Sequence, residues 1–374
     1  MKNIVEGSMA VAEAVKLCEP GVIAVYPITP QTHIAEDLTQ IVPNGALDAE
    51  VINVESEHSA MAACIGSVAT GVRPYTCTSS QGLAFMHELL FVASGMRLPV
   101  VMTVVNRALS APLNIWNDQQ DSMSERDAGW VQLYVENAQE AFDTQIQAFK
   151  IAEQTSLPVM MCMDGFLISH TFENVSYLDS KLVKKFLPPF KPEVTLNPSK
   201  PVAMGTLATP DYFMQFRKEQ NEAVFATKDV IKSVNREYGA LSKRIYGNGL
   251  IEKFSLEGKK FALITIGSVT GTAREYLPND FGIIKVKAMR PFPTEEIINA
   301  CKGLTSVGVI EKDISVGNEG ALYTEIKAAL YGSGCSTKIS GYIAGLGGRD
   351  ITPKDMQSVF EKIRQGKAGT DWVC

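Results

Sequence analysis

Five short runs in the first half of the chain, at 22–26, 50–54, 75–78, 100–105 and 157–163, are dominated by apolar and β-branched residues with no polar alternation. Strands of that kind have no face to turn to water, so they predict a parallel sheet covered on both sides. The intervals between them carry helical patterning at 8–17, 32–40, 57–69, 83–94 and 139–153. This alternation predicts a doubly wound α/β domain over roughly the first half. At 374 residues with 45% hydrophobic content, the chain holds enough apolar material for two cores.

The ends of these strands are chemically rich. The stretch from Val51 to Gly71 passes from a strand through Glu55 and Glu57 into a helix of small residues. Ser56 is placed to cap that helix, and Ala60, Ala62, Ala63, Gly66 and Ala69 allow close backbone packing. Taken alone, Glu57 reads as an acidic residue complementing the helix dipole. Its company changes that reading. Val22–Tyr26 runs into a proline-bracketed turn that presents Thr29, the strand at 75–78 ends in Thr-Ser-Ser-Gln-Gly, and a third strand ends at Asn106-Arg107. Several strands ending in polar turns at one point of the repeat are how an open parallel sheet builds a site at its carboxyl edge.

Beyond residue 187 the pattern breaks. Pro188, Pro189, Pro192, Pro198 and Pro201 mark an extended segment laid over a surface. A helix is predicted at 211–244 with Asp211 as its cap, followed by strands at 261–267, 283–288, 306–311 and 338–343. The expected division is therefore 1–187, a linker and long helix at 188–254, and a second α/β domain at 255–374. Gly267 to Thr272 reads as a tight strand-to-helix turn, because it lacks the lysine and spacing of a phosphate cradle. The run GLGGRD at 345–350 reads as a loop whose glycines supply positive φ.

A net charge of −6 gives no electrostatic reason to expect nucleic acid or anionic membrane as a partner. The opening residues lack a positive region and a long apolar core, no apolar run reaches membrane-spanning length, and a cytoplasmic protein is expected. The seven cysteines, Cys18, Cys64, Cys77, Cys162, Cys301, Cys335 and Cys374, contain no C-x-x-C pair. The four histidines are dispersed as well, so no metal or iron–sulfur centre is expected on this chain.

The motifs YPITPQT at 26–32, ESEHSAMAA at 55–63, TSSQGL at 78–83, NIWNDQQDSMSERDAGW at 114–130, RPFP at 290–293 and GLGGRD at 345–350 occur in order. Together they resemble the α subunit of multi-subunit 2-oxoacid:ferredoxin oxidoreductases, nearest the pyruvate (pyruvate synthase) branch. The resemblance implies a pyrimidine-type thiamine diphosphate domain followed by a smaller α/β domain like the C-terminal domain of transketolase, which mainly supports assembly. It implies that Glu57 hydrogen-bonds the aminopyrimidine ring and promotes loss of the C2 proton, with Glu55 as the competing carboxylate. Pro27, Ser80, Gln81 and Gly82 match its cofactor-side positions. Thr29 and Arg107 match its substrate positions, where a guanidinium can grip a planar carboxylate bidentately; Arg73 and Arg126 are rivals. The G-D-G segment that holds Mg²⁺ and the diphosphate is missing, the nearest run being Met163-Asp-Gly-Phe166. The resemblance assigns that half of the site to a β subunit and the iron–sulfur clusters to partner subunits, and implies γ and ferredoxin-like δ subunits as further partners. Pyruvate or a related 2-oxoacid and CoA are the implied substrates; branched-chain 2-oxoacids, or an assembly role without chemistry, are the alternatives.

A chain carrying half a cofactor site should be inactive alone. Without partners, it should give no sustained reduction of methyl viologen with pyruvate, CoA and thiamine diphosphate; turnover by the isolated chain would contradict a site shared between subunits.

Overall fold

The computed structural model describes residues 2–373. In chain order the strands are β1 (Lys2–Glu6), β2 (Val22–Val25), β3 (Glu50–Asn53), β4 (Pro74–Thr78), β5 (Val101–Asn106), β6 (Val131–Tyr134), β7 (Val159–Asp164), β8 (Phe172–Ser176), β9 (Ile251–Phe254), β10 (Phe261–Thr265), β11 (Phe281–Val286), β12 (Ala288–Arg290), β13 (Ser306–Glu311), β14 (Lys338–Ile343) and β15 (Gly369–Trp372). β1 and β8 form an antiparallel ribbon. The seven-stranded sheet runs β12-β6-β7-β5-β4-β2-β3, with β12 antiparallel to β6 and the other pairs parallel. The six-stranded sheet runs β15-β14-β13-β10-β11-β9, with β9 antiparallel to β11.

Continuous apolar character has its expected consequence: every residue of β4, β5 and β7 is buried. The helices Gly7–Cys18 and Ala138–Thr155 cover one face of the larger sheet. On the other face, Met61, Leu90 and Trp130 belong to an apolar cluster that continues into Ile264, Ile284 and Val309 of the smaller sheet. Strand order reverses at β2, which lies between β3 and β4, so the crevice of this open sheet opens between the turns that follow β2 and β4.

The helix Glu57–Ala69 begins where the sequence places it, with Ser56 Oγ accepting the Ser59 N–H at 3.2 Å. Of its small residues, Ala60 and Ala69 pack inward, whereas Ala62 and Gly66 are exposed. Other expectations need correction. The helix predicted at 83–94 is two, Ser80–Phe85 and His87–Gly95, joined at fully buried Met86. Thr209, not Asp211, is the cap of the helix Pro210–Ser242, because Pro210 supplies a pre-formed φ at the first helical position. β1, β6, β8, β9, β12 and β15 were not anticipated; apart from β6 they are short or edge strands. The proline-rich segment is extended, and Leu196 donates its N–H to the Ala69 carbonyl at 2.8 Å.

Charge joins the two sheets. Glu140, buried in the first turn of the helix Ala138–Thr155, accepts Lys285 Nζ at 2.6 Å and Lys287 Nζ at 2.7 Å. Burial opposes its charge, but Lys285 and Lys287 more than offset that and hold the carboxyl at about 2. A depressed carboxylate contributes stability above its unfolded value, about 4.3, and loses it as pH falls towards 2. Denaturation midpoints of the wild type should therefore drop between pH 5 and pH 3. Glu140→Gln should weaken this dependence and, by leaving buried Lys287 without a carboxylate and Lys285 with only Glu136 and Glu252, cost about 3–5 kcal/mol at neutral pH.

Candidate active site

The carboxyl ends of β4 and β5 are drawn together by one buried side chain. Asp121 Oδ2 accepts the N–H of Ser80 at 2.9 Å and of Arg107 at 3.0 Å; Oδ1 accepts Asn106 Nδ2 at 2.7 Å and the Ser122 N–H at 2.8 Å. Burial pushes this carboxyl up to about 7 even though those donors pull it down. The contacts hold Ser80 in a left-handed conformation, φ 49°, at the start of its helix.

Arg107 is the junction of the turns. Its Nη1 donates to the Thr29 carbonyl at 2.8 Å, its Nε to the Asn114 carbonyl at 3.1 Å, and its Nη2 to Gln81 Oε1 at 3.4 Å. Burial lowers its pKa, with Asp121 opposing. A guanidinium has five N–H groups, so this one retains donors for a ligand. Thr29 is exposed, as are Pro27 and Tyr26 on the same turn. Gln31 anchors that turn: its Oε1 accepts the Ile28 N–H at 3.1 Å and its Nε2 reaches Cys77 Sγ at 2.7 Å. The rival arginines lie elsewhere. Arg73, just before β4 at the opposite sheet edge, is bonded to Glu153, Cys18 and Pro188, and Arg126 donates to the Met123 carbonyl.

Glu57 and Glu55 have opposite surroundings. Glu55 is exposed and accepts the Ser59 hydroxyl. Glu57 is 8% exposed and, among the described residues, makes no ion pair or side-chain hydrogen bond. Its Oε1 lies against Gly82, where a Cβ would come within 2.5 Å of it and within 2.6 Å of Thr78 Oγ1. Beside it, Thr78 Oγ1, Ser79 Oγ and Gln81 Nε2 are buried without partners. A free carboxylate, a close backbone and orphaned polar atoms suit a flat, polar heterocycle such as an aminopyrimidine. Ser80 serves the turn itself, its hydroxyl donating to the Ala108 carbonyl at 2.5 Å.

Asp164, the aspartate of the nearest approach to G-D-G, is engaged inside the protein. It accepts Lys312 Nζ at 3.0 Å, Gln119 Nε2 at 2.9 Å, the Ser268 N–H at 3.0 Å and the Ser268 hydroxyl. Burial opposes its charge, but Lys312 and Ser268 hold its pKa below the ordinary value. The Gly267 turn is thus filled by a carboxylate of the larger sheet, and a Cβ at Gly267 would collide with Gln119 Nε2. The 345–350 loop braces the site from behind: Asn114 Nδ2 donates to the Gly347 carbonyl at 3.0 Å, and the Gly348 N–H to the Asn117 carbonyl at 2.6 Å. Sequence reading quoted the 114–130 run but missed the individual roles of Asn114, Asn117, Gln119 and Asp121, whose signal is the density of side-chain amides and carboxylates.

A crevice at the carboxyl edge of an open parallel sheet, with an acidic helix start beside it, fits the thiamine-type cofactor domain that the resemblance of the six motifs implies. The chain belongs to the pyruvate flavodoxin/ferredoxin oxidoreductase family: the family's thiamine diphosphate-binding domain matches residues 13–236, and core domain II of pyruvate:ferredoxin oxidoreductase matches residues 260–356. It is 47% identical to the pyruvate synthase subunit PorA of Methanocaldococcus jannaschii, over 99% of this chain and 97% of that protein. It is 44% identical to the ketoisovalerate oxidoreductase subunit VorA of Pyrococcus abyssi, over 98% of this chain and 94% of that protein. The fold is shared with a 2-oxoglutarate:ferredoxin oxidoreductase from Magnetococcus marinus, with TM-score 0.76 and 20% identity, covering 98% of this chain and 65% of that one. The resemblance read from the six motifs is borne out, and the chain is a subunit of the thiamine-dependent 2-oxoacid:ferredoxin oxidoreductase type.

Substitution of Arg107 separates binding from support. A charge-assisted hydrogen bond is worth about 1.5–3 kcal/mol, so Arg107→Ala should lower kcat/KM for the 2-oxoacid roughly 10- to 100-fold in the assembled protein, with Arg107→Lys between. Cofactor affinity, measured in the same variants, should stay near wild type. Loss of cofactor affinity or assembly with kcat/KM per assembled site retained would make the arginine structural.

Proposed function

We propose that this chain supplies the pyrimidine-side half of a thiamine diphosphate site in a pyruvate:ferredoxin oxidoreductase, with the Mg²⁺–diphosphate half on a β subunit. Pyruvate and CoA yield acetyl-CoA and CO₂, reversibly, and two electrons pass to iron–sulfur clusters on partner subunits, a γ and a ferredoxin-like δ chain completing the complex. The observation that carries this reading is the buried, unpartnered Glu57 carboxylate beside Gly82. When bound, thiamine diphosphate supplies a carbon nucleophile and an electron sink for loss of CO₂. Glu57 holds a proton at the ring nitrogen of the aminopyrimidine, in a pocket where Thr78, Ser79 and Gln81 offer further polar contacts. Arg107 binds the substrate carboxylate through its remaining N–H groups, and the exposed Thr29 hydroxyl hydrogen-bonds the same carboxylate or the keto oxygen. The engagement of Asp164 by Lys312, Gln119 and Ser268 leaves it unsuited to metal ligation and supports the two-subunit division.

The VorA relative keeps a branched-chain 2-oxoacid as the second reading. The two substrates differ in apolar bulk alone, a difference a hydrophobic pocket grades by roughly 1–3 kcal/mol. Comparing kcat/KM for pyruvate and ketoisovalerate in the assembled complex decides between them.

The role of Glu57 is tested by C2–H exchange of the bound cofactor. Glu57→Gln should abolish exchange, whereas Glu55→Gln, altering an exposed side chain, should be far milder. Exchange in the Glu57 variant at the wild-type rate would remove this residue from the chemistry.

A further inference from the structure

Histidines that are dispersed in sequence meet in space. The chain has four, and two of them, His33 and His170, lie against each other with ring centroids 4.3 Å apart and planes tilted by 32°. Both face one carboxylate: Glu6 Oε1 lies 2.8 Å from His33 Nδ1 and 3.8 Å from His170 Nδ1. We propose that Glu6, His33 and His170 bind a divalent first-row transition cation, with Zn²⁺ the best match.

The donor set is that of a three-ligand site with positions left open. Imidazole and carboxylate suit zinc, and bonds of about 2.0–2.1 Å in tetrahedral geometry put ligand atoms about 3.3 Å apart. The shorter contact to Glu6 need open, and the longer need close, by only about half an ångström each. One ligand atom from each residue already falls within 4.8 Å of the others, and all three side chains are partly buried.

The surroundings prepare these groups as ligands. Ser169 Oγ, which accepts the Phe166 N–H at 2.9 Å, lies 2.7 Å from His170 Nδ1, a contact that metal ligation at that nitrogen would replace. Burial, and then His33, lower the His170 pKa and favour the neutral ring that a metal requires. Two imidazoles in contact also disfavour double protonation, since like charges repel. Asp37, one helical turn beyond His33, is half-buried, and its carboxyl is pushed up to about 6 by burial and by Glu6. It adds a second acidic group beside the cluster.

The three ligands come from three pieces of backbone held in place. Glu6 ends β1 and caps the helix Gly7–Cys18. His33 lies in the first turn of the helix Thr32–Ile41, four residues after Thr29. His170 lies on the loop after β7, where Ser8 N–H donates to the Ser169 carbonyl at 2.8 Å and Gly7 N–H to the Thr171 carbonyl at 3.2 Å. That loop also passes the substrate turn, for a Cβ on Gly165 would come within 2.7 Å of Pro30 Cγ. A bound cation would cross-link the β1 ribbon, the start of the helix at Thr32 and this loop, and so brace the turn that presents Thr29.

Thiols are poor rivals. Cys64, Cys77 and Cys301 are buried and each is pushed up to about 12, so they are not thiolates at neutral pH. Cys335 is the more accessible of the described cysteines, and Cys374 lies outside the described residues.

The test is binding, independent of turnover. The full 374-residue chain, stripped of metal, is titrated with Zn²⁺ by calorimetry and with Co²⁺ by absorption spectroscopy. One saturable site per chain is expected, with a visible Co²⁺ spectrum of nitrogen and oxygen ligation and no thiolate charge-transfer band. His33→Gln and His170→Gln should each weaken Zn²⁺ binding at least tenfold, and the double variant should show no saturable site. Far-UV circular dichroism checks folding. If His170→Gln does not fold, the more exposed His33→Gln carries the comparison. Absence of a saturable site in the wild type, affinity unchanged in the histidine variants, or a thiolate band would overturn the proposal.

Discussion

Four N–H groups converge on the buried carboxylate of Asp121, and the geometry of the site depends on that convergence. A parallel sheet delivers strand ends to one edge but does not fix the turns beyond them. Here one acceptor takes the backbone N–H of Ser80, after β4, and of Arg107, after β5, so the two turns are set relative to each other. The Arg107 side chain then reaches across to the Thr29 carbonyl after β2. Three strand ends are connected through two side chains. The price is a carboxyl that burial drives up to about 7. Buried polar groups of this kind are tolerated when every lone pair has a donor, as it has here.

The architecture was legible because burial on both faces of a parallel sheet leaves a direct imprint in composition. β13 and β14 and the helix Glu57–Ala69 fall where the sequence puts them, to the residue. Short edge strands leave no such imprint: β12 is three residues long and pairs across to β6 from a distant part of the chain. The break at Met86 was invisible because both helices bury apolar residues of the same kind. In the site, Glu57 and Arg107 stood out as charges at strand ends. Asp121, Asn117 and Gln119 did not, since nothing local distinguishes a polar residue that bonds to a remote backbone from one that faces water. The histidine pair was illegible for the same reason: contact between residues 33 and 170 is a property of the tertiary fold.

In the proposed reading the chain holds one side of a site. Thr78, Ser79 and Gln81 present buried polar atoms, and Glu57 a carboxylate, that no described residue satisfies, while Asp164 is fully engaged. The two kinds of relative, pyruvate synthase and ketoisovalerate oxidoreductase subunits, are similar to this chain to nearly the same degree, 47% and 44%.

The placement of Asp164 bears on how divisible the chain is. Its carboxylate crosses from the end of β7 to the start of the helix Val269–Glu275 and meets Lys312 there, while Glu140 of the first half meets Lys285 and Lys287 of the second. Cutting the polypeptide between its two sheets would leave each piece with bare charges in what had been its interior, on top of an exposed apolar face. Neither piece could then be exchanged for a foreign module by simple recombination, because the newcomer would have to bring the complementary charge to the same depth. Gene fusions that add whole subunits at either terminus escape that restriction; exchange of one half at the 188–254 connection does not.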